Sequence, residues 1–130
     1  MGTATESGQS RKELATSFLR LVTGGKIREA YERHVAPGFK HHNPYFKGDA
    51  KSLMAGMEEN EDKFPNKVLE IKRAVAEGDV VAVHSLVKLK PGEFEVAVVH
   101  IFRFDGDRIA EVWDIGQQVP AESPNENGMF

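Results

Sequence analysis

A chain of 130 residues, 40% of them hydrophobic and 28% charged, is one globular domain able to bury roughly two-thirds of its unfolded surface. Its formal charge of −3, with no basic block anywhere, argues against a nucleic-acid or anionic-membrane partner. The absence of cysteine excludes disulfide frameworks, thiolate nucleophiles and cysteine-based zinc sites. No apolar run approaches the ~18 residues of a membrane span, and the polar start MGTATESGQS lacks a signal-peptide core, so a cytoplasmic address is expected.

Residues 1–9 are small and polar and are expected to be disordered. Ser10 with Glu13 fits a capping box, and Leu14, Phe18, Leu21 and Val22 follow at helical spacing until Gly24-Gly25 ends the helix. A second helix, Lys26 to His34, turns Ile27, Ala30 and Tyr31 inward, and Pro37-Gly38 breaks it. Phe39 to Asn43 is a short extended piece closed by Asn43-Pro44. Asp49 or Ser52 caps a third helix through Leu53, Met54 and Met57, which stops at Phe64-Pro65-Asn66.

From Lys67 the period changes to two. Strands are predicted over 68–76, 80–90, 93–104 and 108–117, with turns at Glu77-Gly78-Asp79, Pro91-Gly92 and Asp105-Gly106-Asp107. Helices followed by an antiparallel meander make an α+β fold, with helices on one face of a curved sheet. The domain is expected to span 10–117. The tail 118–130 is rich in turn residues yet ends on the apolar Met129-Phe130.

The chemistry concentrates in Val96 to Gly116. Val96, Val98, His100, Phe102 and Phe104 share one strand face, and Ala110, Val112, Asp114 and Gly116 share another. Each face holds a single ionisable group among apolar neighbours. Burying an unpaired charge is costly, so the two groups are expected to meet, as a site or as a satisfied core pair. His84 stands in the same way among Val80, Ala82 and Leu86. His41 and His42, being adjacent, point opposite ways. No close ligand spacing is present among the histidines, so no metal is expected.

The order of elements resembles the cone-shaped α+β barrel of the nuclear-transport-factor-two-like superfamily. Three segments resemble the SnoaL-like polyketide cyclases: His42-Asn43-Pro44, Gly78 to Ser85, and Phe102 to Asp114. More narrowly they resemble the predicted SnoaL-like aldol-condensation enzymes, which tend to carry an HNP turn and an EHWD-type last strand, except that Val112 stands at the second position of that strand pattern, where those carry a histidine. The resemblance implies Asp114 as acid/base, His100 as its partner, and a pocket bounded by Asn43, His84, His42, Phe102 and Val112. It implies a cofactor-free reaction on a carbonyl or polyketide-like ligand. Asn43 falls near the proton-abstracting Asp of ketosteroid isomerases, and an amide cannot take a proton. A binding module or an interaction protein of the same fold are the alternative readings. The opposite sheet face, with Val99, Ile101, Trp113 and Ile115, has the composition of an interface, and a homodimer is expected.

Overall fold

The computed structural model describes residues 10–130; the disorder expected of residues 1–9 lies outside the described residues. Three helices, α1 (Arg11–Thr23), α2 (Ile27–His34) and α3 (Ala50–Lys63), pack on a five-stranded sheet. Its strands are β1 (Val35–His41), β2 (Val68–Glu77), β3 (Val80–Lys90), β4 (Phe94–Asp105) and β5 (Arg108–Gln118). Their order is β1-β5-β4-β3-β2. The meander β2 to β5 is antiparallel, as its turns predict, whereas β1 joins β5 in parallel and makes the sheet mixed.

Local chemistry accounts for the boundaries. Ser10 and Glu13 form the reciprocal capping box of α1, and Asp49, not Ser52, caps α3 by accepting from the Ser52 amide. The predicted break at Pro37-Gly38 lies inside β1, whose extended backbone begins directly after α2 at Val35. Gly38, with φ 76°, sits within an irregular stretch of the β1–β5 register and allows the strand to pass through it. Gly56 answers a different constraint. A Cβ there would come within 2.5 Å of the Phe46 ring, so glycine inside α3 lets the loop after β1 lie against the helix.

The core fills the space between helices and sheet. Phe18 packs edge-on against Tyr31 and Phe102, with ring centroids 5.6 and 5.9 Å away, and Tyr31 meets Phe39 at 6.2 Å. Val81, Val83, Phe102, Phe104, Ile109 and Val112 line the sheet side. Arg11 ties the end of the sheet together: its Nε donates to the Gly106 carbonyl at 3.1 Å and its guanidinium to the Gly78 carbonyl at 3.0 Å. One side chain therefore holds the β2–β3 and β4–β5 turns against the start of α1.

The register of β4 and β5 decides what faces the helices. The tight turn pairs Asp105 with Arg108 and Phe104 with Ile109, and continued unbroken it would set His100 against Trp113. A bulge intervenes. Arg103 pairs with Glu111, Ala110 becomes the extra residue, and from there His100 faces Asp114. Ile109 and Val112 consequently both point into the core, whereas the simple alternation put Ala110, not Ile109, on the face of Val112.

Candidate active site

His100 and Asp114 are directly opposed on neighbouring antiparallel strands, so their side chains share the helix-facing side of the sheet at a Cβ separation of about 5 Å. Asn43 comes to them from the loop after β1. Its Nδ2 donates to Asp114 Oδ2 at 3.0 Å, while its Oδ1 accepts from the Tyr45 amide at 3.0 Å. A backbone N–H can only donate, so the turn fixes the orientation of the Asn43 amide and aims its NH₂ at the carboxylate. The second carboxylate oxygen, Oδ1, has no hydrogen-bond partner among the described residues.

Asp114 and Asn43 form part of the wall of a cavity of about 470 Å³, together with Phe46, Met57, Phe64 and Lys67. It opens between α3, the loop after β1 and the far half of β5. That volume lies within the ~300–1,000 Å³ range of small-molecule sites. Lys67 is sealed, its side chain 5% exposed, and donates to Glu61 at 2.9 Å and to the Phe64 carbonyl at 3.4 Å.

His100 is half-buried as a residue, but its Nδ1 is shielded from solvent and meets no hydrogen-bond partner among the described residues. Burial pushes its pKa down from 6.5 to about 4, opposed by the charge of Asp114. The imidazole is therefore neutral at physiological pH, and the pair is a carboxylate beside a neutral ring rather than an ion pair. Tyr31 also feels this carboxylate: burial first, and Asp114 second, hold its phenol well above the ordinary 10. The Tyr31 O–H donates to Met57 Sδ at 3.3 Å, a weak acceptor on a cavity-lining side chain. Tyr31 itself belongs to the buried core and reads in the sequence as one more apolar-face residue of a short helix.

Several expected pocket residues lie elsewhere. His84 pairs with Val99, the opposite face from Val83 and His100, so it is not at the mouth of the cone. It contacts Arg73 and stacks under Phe130, with ring centroids 5.4 Å apart. Both faces of β3 are apolar, so alternation alone could not say which one turns inward. His42 is also outside: it stacks on Trp113 at 4.8 Å and donates to Glu111 Oε2 at 2.6 Å. The inward member of the pair is His41, 6% exposed, which bonds the Lys47 carbonyl through Nε2 and accepts the Asn43 amide on Nδ1. His41 thus carries its proton on Nε2 and builds the loop that presents Asn43. Phe102 and Val112, at 0% and 5% exposure, belong to the core and not to the cavity wall.

The outer face carries its own cluster. Glu111, 8% exposed, accepts from His42, from Arg103 at 3.0 Å and lies 3.9 Å from Lys40. The His42 hydrogen bond is the largest cause of its lowered pKa. Val99, Ile101, Trp113 and Ile115 share this face, as the pairs Val99–Ile115 and Ile101–Trp113 require. Ile115 is 61% exposed.

The chain belongs to the SnoaL-like domain family, which matches residues 15–112. Three solved structures are similar in fold. AclR, a presumed hydroxylase from Streptomyces galilaeus, has a TM-score of 0.71 at 21% identity, over 82% of this chain and 88% of its own. IdmH, a presumed polyketide cyclase from Streptomyces antibioticus, scores 0.68 at 19% identity over 83% and 92%. A presumed polyketide cyclase from Acidithiobacillus ferrooxidans scores 0.65 at 26% identity over 82% and 87%. No curated protein sequence matches the chain. No helix among the described residues is long and apolar enough to cross a membrane.

The low pKa of His100 has a consequence for stability. The unfolded chain binds a proton at His100 below about 6.5 and the folded chain does not until about 4, so stability falls as pH drops through that window. His34, also lowered by burial first and by Arg33 and Arg108 next, adds a slope of the same sign. Urea midpoints between pH 7 and 4.5 should decline by the equivalent of a few kcal/mol in the wild type, and much less in His100→Gln. A wild-type midpoint that stays level over that interval would mean that His100 is charged in the folded state.

Proposed function

We propose that this protein is a small-molecule enzyme of the polyketide cyclase or aldol-condensation type, acting without a cofactor by general acid–base catalysis on a carbonyl compound. The observation that carries the reading is the pairing of Asp114, at the cavity wall with one oxygen unbonded, against a neutral His100 and a donating Asn43. Membership of the SnoaL-like family and fold similarity to a presumed polyketide cyclase lend it support.

In this reading Asp114 removes a proton from the carbon α to a carbonyl, and the resulting enolate attacks a second carbonyl to form the new C–C bond. The alkoxide then takes the proton back from Asp114. The sequence of steps is redox-neutral and consumes no co-reactant. Asn43 holds the carboxylate by one oxygen and leaves the other for the substrate. The Tyr31 hydroxyl, protonated and bonded only to a thioether, is the donor most easily redirected to an enolate oxygen. A cytoplasmic address, and a carbonyl or polyketide-like ligand as the partner rather than a nucleic acid or a membrane, belong to the same proposal.

The second element of the proposal is assembly. Phe130 lies over His84, with Lys72 Nζ 5.2 Å from its ring, and so covers the β2–β3 part of the outer face. The β4–β5 part keeps Val99, Ile101, Trp113 and Ile115 with charged groups at the edge, the layout of an interface core and its rim. A twofold homodimer would let one patch serve both subunits.

Two experiments test these readings. A panel of carbonyl compounds screened by thermal shift identifies a ligand. Asp114→Asn should then keep the ligand-induced shift while losing about 10²–10⁴-fold in turnover. Binding without turnover in the wild type would instead make this a binding module. For assembly, wild-type protein at micromolar concentration should sediment as a dimer and Trp113→Glu as a monomer. A wild-type monomer would remove the dimer from the proposal.

A further inference from the structure

Two side-chain atoms among the described residues are sealed from solvent and have no hydrogen-bond partner: His100 Nδ1 and Ser85 Oγ. They are neighbours. Val83 pairs with His100 and Ser85 with Val98, so Ser85 and His100 occupy diagonal positions on one face of β3 and β4, within about 7 Å of each other. Ser85 is 0% exposed. Leaving a hydroxyl and an imidazole nitrogen buried without partners is unfavourable for each. Two such residues, diagonal on one face, form an arrangement that a single bridging oxygen satisfies.

We propose that Ser85 is a positioning residue for His100: one buried water bridges Ser85 Oγ and His100 Nδ1 and fixes the ring in its Nε2–H tautomer. The direction of the relay follows from the inventory of donors and acceptors. The Ser85 hydroxyl must place its hydrogen on something, and no protein acceptor among the described residues receives it, so it donates to the water. The water then donates to Nδ1, which has to be the unprotonated nitrogen. The ring proton is left on Nε2. Asp114, opposite on β5, makes no hydrogen bond to the His100 ring among the described residues, so it does not itself fix the tautomer. Without the relay the neutral ring has no buried partner to choose between its two forms.

The inference rests on the reading of His100 and Asp114 as the working pair, but its test does not require turnover. Long-range ¹H–¹⁵N spectra distinguish the two neutral tautomers of each histidine, and His100→Gln assigns the signal. At pH 7 the wild type should show His100 protonated on Nε2 alone. Ser85→Ala, a change small enough for a tight core, should convert that signal to a mixture of both tautomers, and Ser85→Thr, which keeps the hydroxyl, should restore it. A crystal structure should show one water between the two atoms in the wild type and none in Ser85→Ala. An Nδ1-protonated His100 in the wild type, or a spectrum unaffected by Ser85→Ala, would overturn the proposal. If the tautomer behaves as expected and Asp114→Asn leaves turnover intact, the relay stands and the catalytic reading fails.

Discussion

The structure depends on one irregularity, the bulge at Ala110. Without it the turn at Gly106-Asp107 would carry its register down the β4–β5 pair and set Trp113, not Asp114, opposite His100. One extra residue moves every side chain beyond it to the other face. Ile109 then reaches the core near the turn and Asp114 reaches the cavity farther along, while Trp113 goes outward with Glu111. The bulge thus separates a core-facing half of β5 from a cavity-facing half, and it supplies two environments at once. Inward stands a carboxylate beside a buried ring; outward stands an aromatic–ionic cluster of Trp113, His42, Glu111 and Arg103.

The electrostatics of the inner environment follow from burial rather than from charge pairing. Bringing a protonated imidazole out of water next to Val83 and Phe102 costs more than Asp114 returns, so His100 stays neutral. The carboxylate is held by one dipole, the Asn43 amide on Oδ2, with a neutral ring opposite on the next strand. Asn43 is in turn held by the Tyr45 amide, and its loop by His41 between Lys47 and Asn43. Asp114 thus sits on a strand and is steadied by a turn whose Asn43 and His41 are themselves hydrogen-bonded, the preorganisation that the proposed chemistry needs.

Much of this was legible in the sequence, for definite reasons. Gly78-Asp79 and Gly106-Asp107 fix the two tight turns, and Ser10 with Glu13 fixes the first helix, because each is a local device with a local signature. The meeting of His100 and Asp114 was readable because each is the lone ionisable group on an apolar face. The faces were not all assignable. Both sides of β3 are apolar, so His84 could be placed inward as easily as outward, and only its pairing with Val99 decides the matter. His41 and His42 differ by one residue, and which one turns inward depends on the parallel pairing of β1 with β5, a long-range contact with no short-range signal. Phe102 and Val112 have the composition of a pocket wall and of a core alike; the packing of Phe18 on Phe102 makes them core. For the same reason nothing in the sequence sets Tyr31 or Ser85 apart, since their neighbours are distant in the chain.

The proposed chemistry has Asp114 take a proton from carbon inside this cavity. Its most direct measurement is deuterium incorporation from D₂O into the α-position of an aryl methyl ketone that binds the protein by thermal shift, followed by NMR. Wild-type protein at saturating ketone should accelerate exchange well above buffer, and Asp114→Asn, with binding retained, should return it to the buffer rate. Equal exchange in the two proteins, or none above buffer in the wild type with the ketone bound, would contradict the account.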